Sequence, residues 1–223
     1  MTTFPDSPRI LKAGLVLLDA LTSQVVRIIV LQYNPDQLTR TLQPQATSEG
    51  SGGNAGERSE VLRLKGPPVE TLKLDVEIDA TDQLEVAKPG AVVLQSGLHP
   101  QLAALETMVY PPLSRILQNH SLAQAGMLEI IPVESPLTLF VWSASRIVPV
   151  RVTDLSVTEE AFDTNLNPIR AKVSLGMRVL SVHDLGFDHR GSSIYLAYQR
   201  VKETFAAIPT GGTFGQLGIG AIP

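Results

Sequence analysis

Two imidazoles and two carboxylates fall within the heptapeptide HDLGFDH, as His183, Asp184, Asp188 and His189. Imidazole nitrogen and carboxylate oxygen together suit a divalent transition metal. The spacing matches no strong ligand pattern, however. Asp and Gly are also what a tight turn uses, because a short Asp side chain bonds its own backbone. A turn is the simpler reading. Glu159, Glu160 and Asp163 form a second acidic group. Paired carboxylates do acid–base chemistry when burial beside a substrate splits their pKa values. This group lies where a hairpin tip is expected, and solvent surrounds such tips. The stretch from Asp79 to Asp82 lacks the rest of an EF-hand loop. The chain has no G-x-S-x-G elbow, no H-E-x-x-H and no Walker A sequence. The glycines of GQLGIG follow no strand pattern, so dinucleotide binding is unsupported. His99 precedes a helical proline, His120 follows Asn119 in a helix-ending loop, and Trp142 reads as a core or interface residue. The expectation is a chain with no catalytic residues, no metal site and no cofactor.

Two other sets of charged residues have regular spacing. Lys73, Asp75, Glu77 and Asp79 alternate with Leu72, Leu74, Val76 and Ile78. Arg170, Lys172 and Arg178 alternate with Ile169, Ala171, Val173, Leu175, Met177 and Val179. Period two over such lengths marks half-buried strands with one charged face. A row of charges at strand spacing is most simply a solvated face. The functional alternative sets the acidic row of one copy against the basic row of a neighbouring copy. Facing charges of that kind fix register and reject wrong partners more than they add affinity. These seven residues are the candidate interface or lumen positions.

The strands that carry these rows organise the chain. Arg146 to Val182 reads as two long antiparallel strands with a polar connection. At about 3.3 Å per residue the second spans about 40–45 Å, where a typical strand has about 5–6 residues. Such a strand overshoots one small core and is expected to lie partly against something outside its own subunit. In the first strand, Val148, Val150 and Val152 share a face, and the apolar phase then slips to Leu155 and Val157. That slip predicts a bulge at Thr153–Asp154.

Composition limits the function classes. The chain has 223 residues, 43% of them hydrophobic, a formal net charge of -4 and no cysteine. One good core, or a core with an appendage, fits this length. Mild acidity argues against general nucleic-acid binding. The absence of cysteine excludes disulfides and thiolate metal sites. Aromatic residues are 5% of the total, too few for a stacking platform. The opening MTTFPDSPR has no signal-peptide pattern, and the apolar runs are too short to span a bilayer. Cytoplasmic synthesis and folding, without direct membrane binding, is the expectation.

In chain order, Ile10–Asp19 and Gln24–Tyr33 read as strands. The second is apolar on both faces, as in a strand covered on both sides. Asn34-Pro35-Asp36 is a turn signal. Leu38–Pro44 alternates Leu38, Arg40 and Leu42 against Thr39, Thr41 and Gln43. Gln45–Ser59 is Gly- and Ser-rich and reads as a flexible loop. Val69–Ala80 is the acidic-row strand. A loop follows, then a helix from Pro100 to Tyr110 with the stripe Leu98, Leu102, Leu105 and Val109. Pro111-Pro112 ends it, and Leu113–Asn119 continues as a short helix. Met127–Ile131 and Leu137–Trp142 return to strand. After the turn His183–Gly191, a helix over Ser192–Ala207 carries Ile194, Tyr198, Val201 and Phe205 on its apolar side. A Gly-rich tail closes the chain. The expected division is a domain of residues 1–182 and an extension of residues 183–223.

Four blocks, in order, carry a family resemblance. They are LQYNPDQLTRTLQPQ, LRLKGPPVETLKLDVEIDATD, GLHPQLAALETMVYPP and RIVPVRVTDLSVTEEAFDTNLNPIRAKVSLGMRVL. Together they resemble the tube-type domain of contractile injection systems, over roughly Gly14 to Leu180. The likeness is greatest to the baseplate-proximal tube initiator or adaptor. The resemblance implies a mainly β fold, a phage tail-tube-like β-barrel or sandwich with a flanking helix and long hairpins. It implies a homo-hexameric ring, partnered by the inner tube protein and by spike hub or baseplate proteins, with no nucleic acid. The setting would be a phage-tail-like particle assembled in the cytoplasm. Adaptors of this type commonly carry a LysM-like domain after the tube domain. Here the predicted helix and glycine tail stand in its place. Two alternatives remain open: the main repeating tube subunit, and an enzyme using the His183–His189 cluster.

Overall fold

A computed structural model describes residues 11–19, 22–45, 64–85, 88, 91–126, 135–209 and 211–222. The expected strand Met127–Ile131 and nearly all of the Gln45–Ser59 loop lie outside them. The fold is mainly β. Strands β1 (Gly14–Leu18), β2 (Val25–Val30), β3 (Leu38–Gln43), β4 (Val69–Asp79), β5 (Leu137–Ser143), β6 (Arg146–Phe162) and β7 (Pro168–Val179) form one sheet. Its order is β2-β1-β5-β6-β7-β4-β3, and every pairing is antiparallel. The helices are α1 (Thr81–Glu85), α2 (Val92–Ser96), α3 (His99–Glu106), α4 (Leu113–Gln124) and α5 (Arg190–Ala206). A 3-10 helix, Phe214–Leu217, lies in the tail.

The β6–β7 ribbon is the long hairpin that the alternation predicts. Its register breaks between Val152 and Asp154, at the site where the apolar phase slips. Thereafter Leu155 and Val157 are half-buried, on the core side. The strand neighbours of β7 are β6 on one side and β4 on the other, which buries Ala171, Val173, Leu175, Met177 and Val179 in a single core.

That core gathers Leu15, Leu72, Leu74, Val76, Ile78, Phe140, Val148 and Val150 from across the sheet. Residues from β1 and from β4 share it although three strands lie between them, so the sheet curls on itself. This is a single curled sheet rather than two stacked ones. Helix α3 covers one end of the core with Leu98, Leu102 and Leu105, three of the four stripe residues expected; Val109 is exposed. Its anchor is backbone: the N–H of its N-cap residue Leu98 donates to the Pro168 carbonyl at 2.9 Å, beside the bond at 2.9 Å from the Ala80 N–H, between β4 and α1, to the Ile169 carbonyl. Helix α5 covers the other end with Tyr195 and Tyr198. A smaller apolar cluster of Leu18, Leu137 and Leu139 packs against Val16, Leu180, Leu185 and Ile194 of α5.

Helix α4 runs on to Gln124, so His120 lies inside it and not in a helix-ending loop. Three further expectations change. The apolar stripe of α5 is rotated: Gly191, Ser192, Tyr195 and Tyr198 are buried, and Phe205 is exposed. The loop after β4 contains the short helices α1 and α2, which have too few residues to show a 3.6 period. The third concerns β2. Val25, Val26, Ile28 and Val30 are exposed, so the described residues do not cover the strand on both faces.

Candidate functional site

The charged rows meet on one surface. The register places Asp79 opposite Arg170 and Arg170 opposite Glu160. The next triplets are Glu77–Lys172–Thr158, Asp75–Ser174–Ser156 and Lys73–Gly176–Asp154. Arg170 Nη2 lies 2.8 Å from Asp79 Oδ2, and its Nε lies 3.6 Å from Glu77 Oε1. Lys172 Nζ donates to Glu160 Oε1 at 2.9 Å. Arg178 lies opposite Arg151, and this like-charge pairing is relieved by Asp184, 2.5 Å from Arg178 Nη2.

Within one chain, then, Arg170 pairs with Asp79 and Glu77 of the acidic row, whereas Lys172 pairs with Glu160 and Arg178 with Asp184. Arg170 and Asp79 lie 91 positions apart, and a strand's own alternation does not reveal its partner. Hydrogen bonds from Thr81, then from Arg170, hold the Asp79 carboxyl below the usual carboxylate range. The exposed Arg170 and Lys172 are pushed up by their bonds to Asp79 and Glu160. Solvent screens exposed pairs of this kind, so they set register more than stability. Gly176 belongs to the same face. A Cβ there would stand 3.1 Å from the Asp154 Cβ at the bulge.

Beside this neutralised face the sheet has unfinished edges. Among the described residues β2 is an outer strand with β1 as its only strand neighbour, and apart from Arg27 its exposed side chains are apolar. β6 pairs with β5 only through Arg146 to Val150, so its outer half meets β7 alone. The tip of that hairpin carries Phe162 and Leu166; Leu166 is 77% exposed at φ 64°. A β-branched apolar edge is a template for another strand.

At the end of the core near α5 lies a polar cluster that the alternation only hints at. Glu70 falls in the same phase as Leu72, Leu74, Val76 and Ile78, and it is 3% exposed. Its Oε1 accepts from Arg40 Nε and Nη2 at 2.9 and 2.7 Å and from the Tyr198 hydroxyl at 3.1 Å. Its Oε2 accepts from Lys202 Nζ at 3.1 Å. Lys202 also stands 4.0 Å above the Tyr198 ring. Burial alone would raise the Glu70 carboxyl, but the Arg40 bond and the Lys202 charge outweigh it and hold it low. Burial, with the Glu70 charge beside it, pushes the Tyr198 phenol up to about 12. The readable signal was phase: Arg40 and Glu70 both occupy apolar positions of their strands.

The His183–His189 turn does structural work. Asp184 Oδ2 accepts from the Ser181 N–H and hydroxyl, and His189 Nδ1 caps α5 by accepting from the Gly191 N–H at 3.0 Å. The His183 ring lies over Gly66, where a Cβ would meet it at 2.2 Å. Among the described residues no three His, Asp or Glu side chains are grouped to hold a metal ion. Glu159 and Glu160 lie on the hairpin arm, and Asp163 closes its tip by accepting from the Asn165 and Asn167 N–H groups. No described helix is long and apolar enough to cross a membrane.

No protein-family model matches the chain, and no curated protein matches it. Among solved structures, one that resembles it does so loosely. This is a chain in the tail of an empty GTA particle of C6 symmetry, 13% identical, at a TM-score of 0.27. The match covers 75% of this chain and 90% of that one. A likeness at that score assigns neither partner nor role.

Proposed function

We propose that the chain is a non-enzymatic structural subunit of a phage-tail-like particle. It closes with identical copies into a six-membered ring that starts the inner tube and adapts it to the spike and baseplate. The tail setting and the six-fold count come from the ordered sequence blocks. The observation that carries the assembly is β2, an outer strand with four exposed Val and Ile side chains. Burying one such side chain stabilises by about 1.5–3 kcal/mol, and a neighbouring copy of the chain would cover them. A head-to-tail contact that closes on itself satisfies every copy and leaves no edge to aggregate.

In this reading the paired face of β4, β6 and β7 lines the shared lumen. A wall on which both signs of charge are interleaved presents little net field, so it grips cargo of neither sign. The ring mates to the spike on one side and templates the first tube ring on the other. Imaging of the particle with this chain located in it tests the role. One ring at the junction of tube and baseplate is the expected result. Many stacked rings would make the chain the repeating tube subunit instead. A hydrolytic activity that vanishes when His183 and His189 are replaced by Ala would move it to another class.

A further inference from the structure

The C-terminal helix is fastened to the sheet by charge as well as by apolar burial. Glu70 begins β4, and the α3 anchor lies by its far end at Asp79, nine residues or about 30 Å away. The core is thus closed by α3 at one end and by α5 at the other. The α3 closure is backbone hydrogen bonds and leucines. At the α5 end the Glu70 carboxylate is shared by Arg40 of β3 and by Tyr198 and Lys202 of α5. Tyr198 also accepts from Arg40 Nη2 at 2.9 Å, so strand and helix are bonded to each other as well as to the carboxylate.

We propose that Glu70 is a releasable latch: protonating it frees α5 and the tail from the sheet, while the seven strands and α3 stay folded. The groups facing the latch all bear on this. Arg40 and Lys202 are the cations, Tyr198 the neutral donor. Tyr195 of α5 feels the Glu70 charge and that of Asp184, and Arg146 of β6 acts on Tyr198. With Glu70 ionised, two partly buried cations are matched by one carboxylate. With Glu70 protonated, Arg40 and Lys202 are left facing each other across a buried neutral acid. Removing one partner of a buried charged network is costly because the others stay desolvated and unpaired. Separation of α5 lets water reach both cations. The sign follows from the low Glu70 carboxyl: the stabilisation is present above the ordinary carboxylate range and is lost as pH falls through the folded value. The inference concerns one chain and stands whether or not the copies form a ring.

The chain has no cysteine, so two can be introduced cleanly. Thr41 of β3 and Glu203 of α5 are exposed and suit a spin-label pair, T41C with E203C, read by pulsed dipolar spectroscopy. Trp142, the sole tryptophan, reports on the sheet through its emission. At neutral pH one narrow distance is expected. On acidification it should broaden and lengthen before Trp142 emission changes. Glu70→Gln should give the broad distribution already at neutral pH, with native Trp142 emission. Lys202→Met keeps the Arg40–Glu70 pair and should move the release midpoint to higher pH. Distances insensitive to acid and to Glu70→Gln would overturn the latch. So would loss of α5 and sheet together at one midpoint, or a Glu70→Gln chain that does not fold.

Discussion

Gln32 binds the backbone of Asp79 in both directions. Its Nε2 donates to the Asp79 carbonyl at 2.5 Å, and its Oε1 accepts from the Asp79 N–H at 2.9 Å. One side chain thereby supplies the donor and acceptor that a neighbouring strand would supply. It ties the end of β2 to the edge of β4 that β3 leaves free beyond Leu74. The seam of the curled sheet is held here by a side chain and not by a ladder. Gln32→Ala removes both bonds and leaves two partly buried backbone groups to be rehydrated. The expected loss is about 1–3 kcal/mol in chemical denaturation, with the denaturant slope unchanged.

The apolar edge of β2 predicts a separation of folding from assembly. Ile28 is 61% exposed in the single chain, and Val26 is similar. Lysine at either position should cost the isolated chain no more than about 0.5 kcal/mol, as at an ordinary surface site. Ile28→Lys should nevertheless abolish the oligomer, because an edge lysine blocks strand addition. Circular dichroism and light scattering on the same sample check both halves of the prediction.

Gly97 marks where the helices meet the hairpin tip. It has φ 52° and ψ -130°, and a Cβ on it would lie 2.4 Å from the Pro168 carbonyl oxygen. Gly97→Ala therefore meets backbone strain and backbone overlap together, with an expected cost of at least about 2 kcal/mol. Hydrogen exchange should show the loss first at the Leu98 amide, whose acceptor is that same carbonyl.

Tyr198 predicts an alkaline limit. A phenol normally near 10 is pushed up to about 12, so the folded state holds its proton more tightly than the unfolded one. The stabilisation is complete below about pH 10 and is lost as pH rises toward about 12. Tyr198→Phe should flatten that decline. Denaturation midpoints of both chains across this range measure it.

Much of the fold is legible because period two survives in long strands. Ile169 to Val179 alternates without a fault, and the slip from Val152 to Leu155 marks the bulge. The stripe Leu98, Leu102 and Leu105 likewise gives α3 its buried face. What local pattern cannot show is partnership. The rows Lys73–Asp79 and Arg170–Arg178 read as complementary, but only the long-range pairing of β4 with β7 places them in one chain. β2 reads as buried on both sides because Val and Ile say only that a surface wants cover, not whose. The sequence alone does not single out the Glu70 cluster, although Arg40 and Glu70 interrupt apolar phases. Its third and fourth members came from a helix more than a hundred residues later, beyond the reach of any spacing argument. Turn chemistry, as expected, explains Asp184 and His189: one bonds the Ser181 backbone, the other caps a helix.

The central claim is that a sheet left open at β2 is completed by copies of the same chain. Sedimentation velocity of the purified protein over a range of concentrations measures this most directly. The expected result is a discrete closed oligomer, six-fold in mass, that grows at the expense of monomer and does not extend into longer species. A single monomeric boundary persisting to high concentration, with β2 amides protected from exchange, would contradict it.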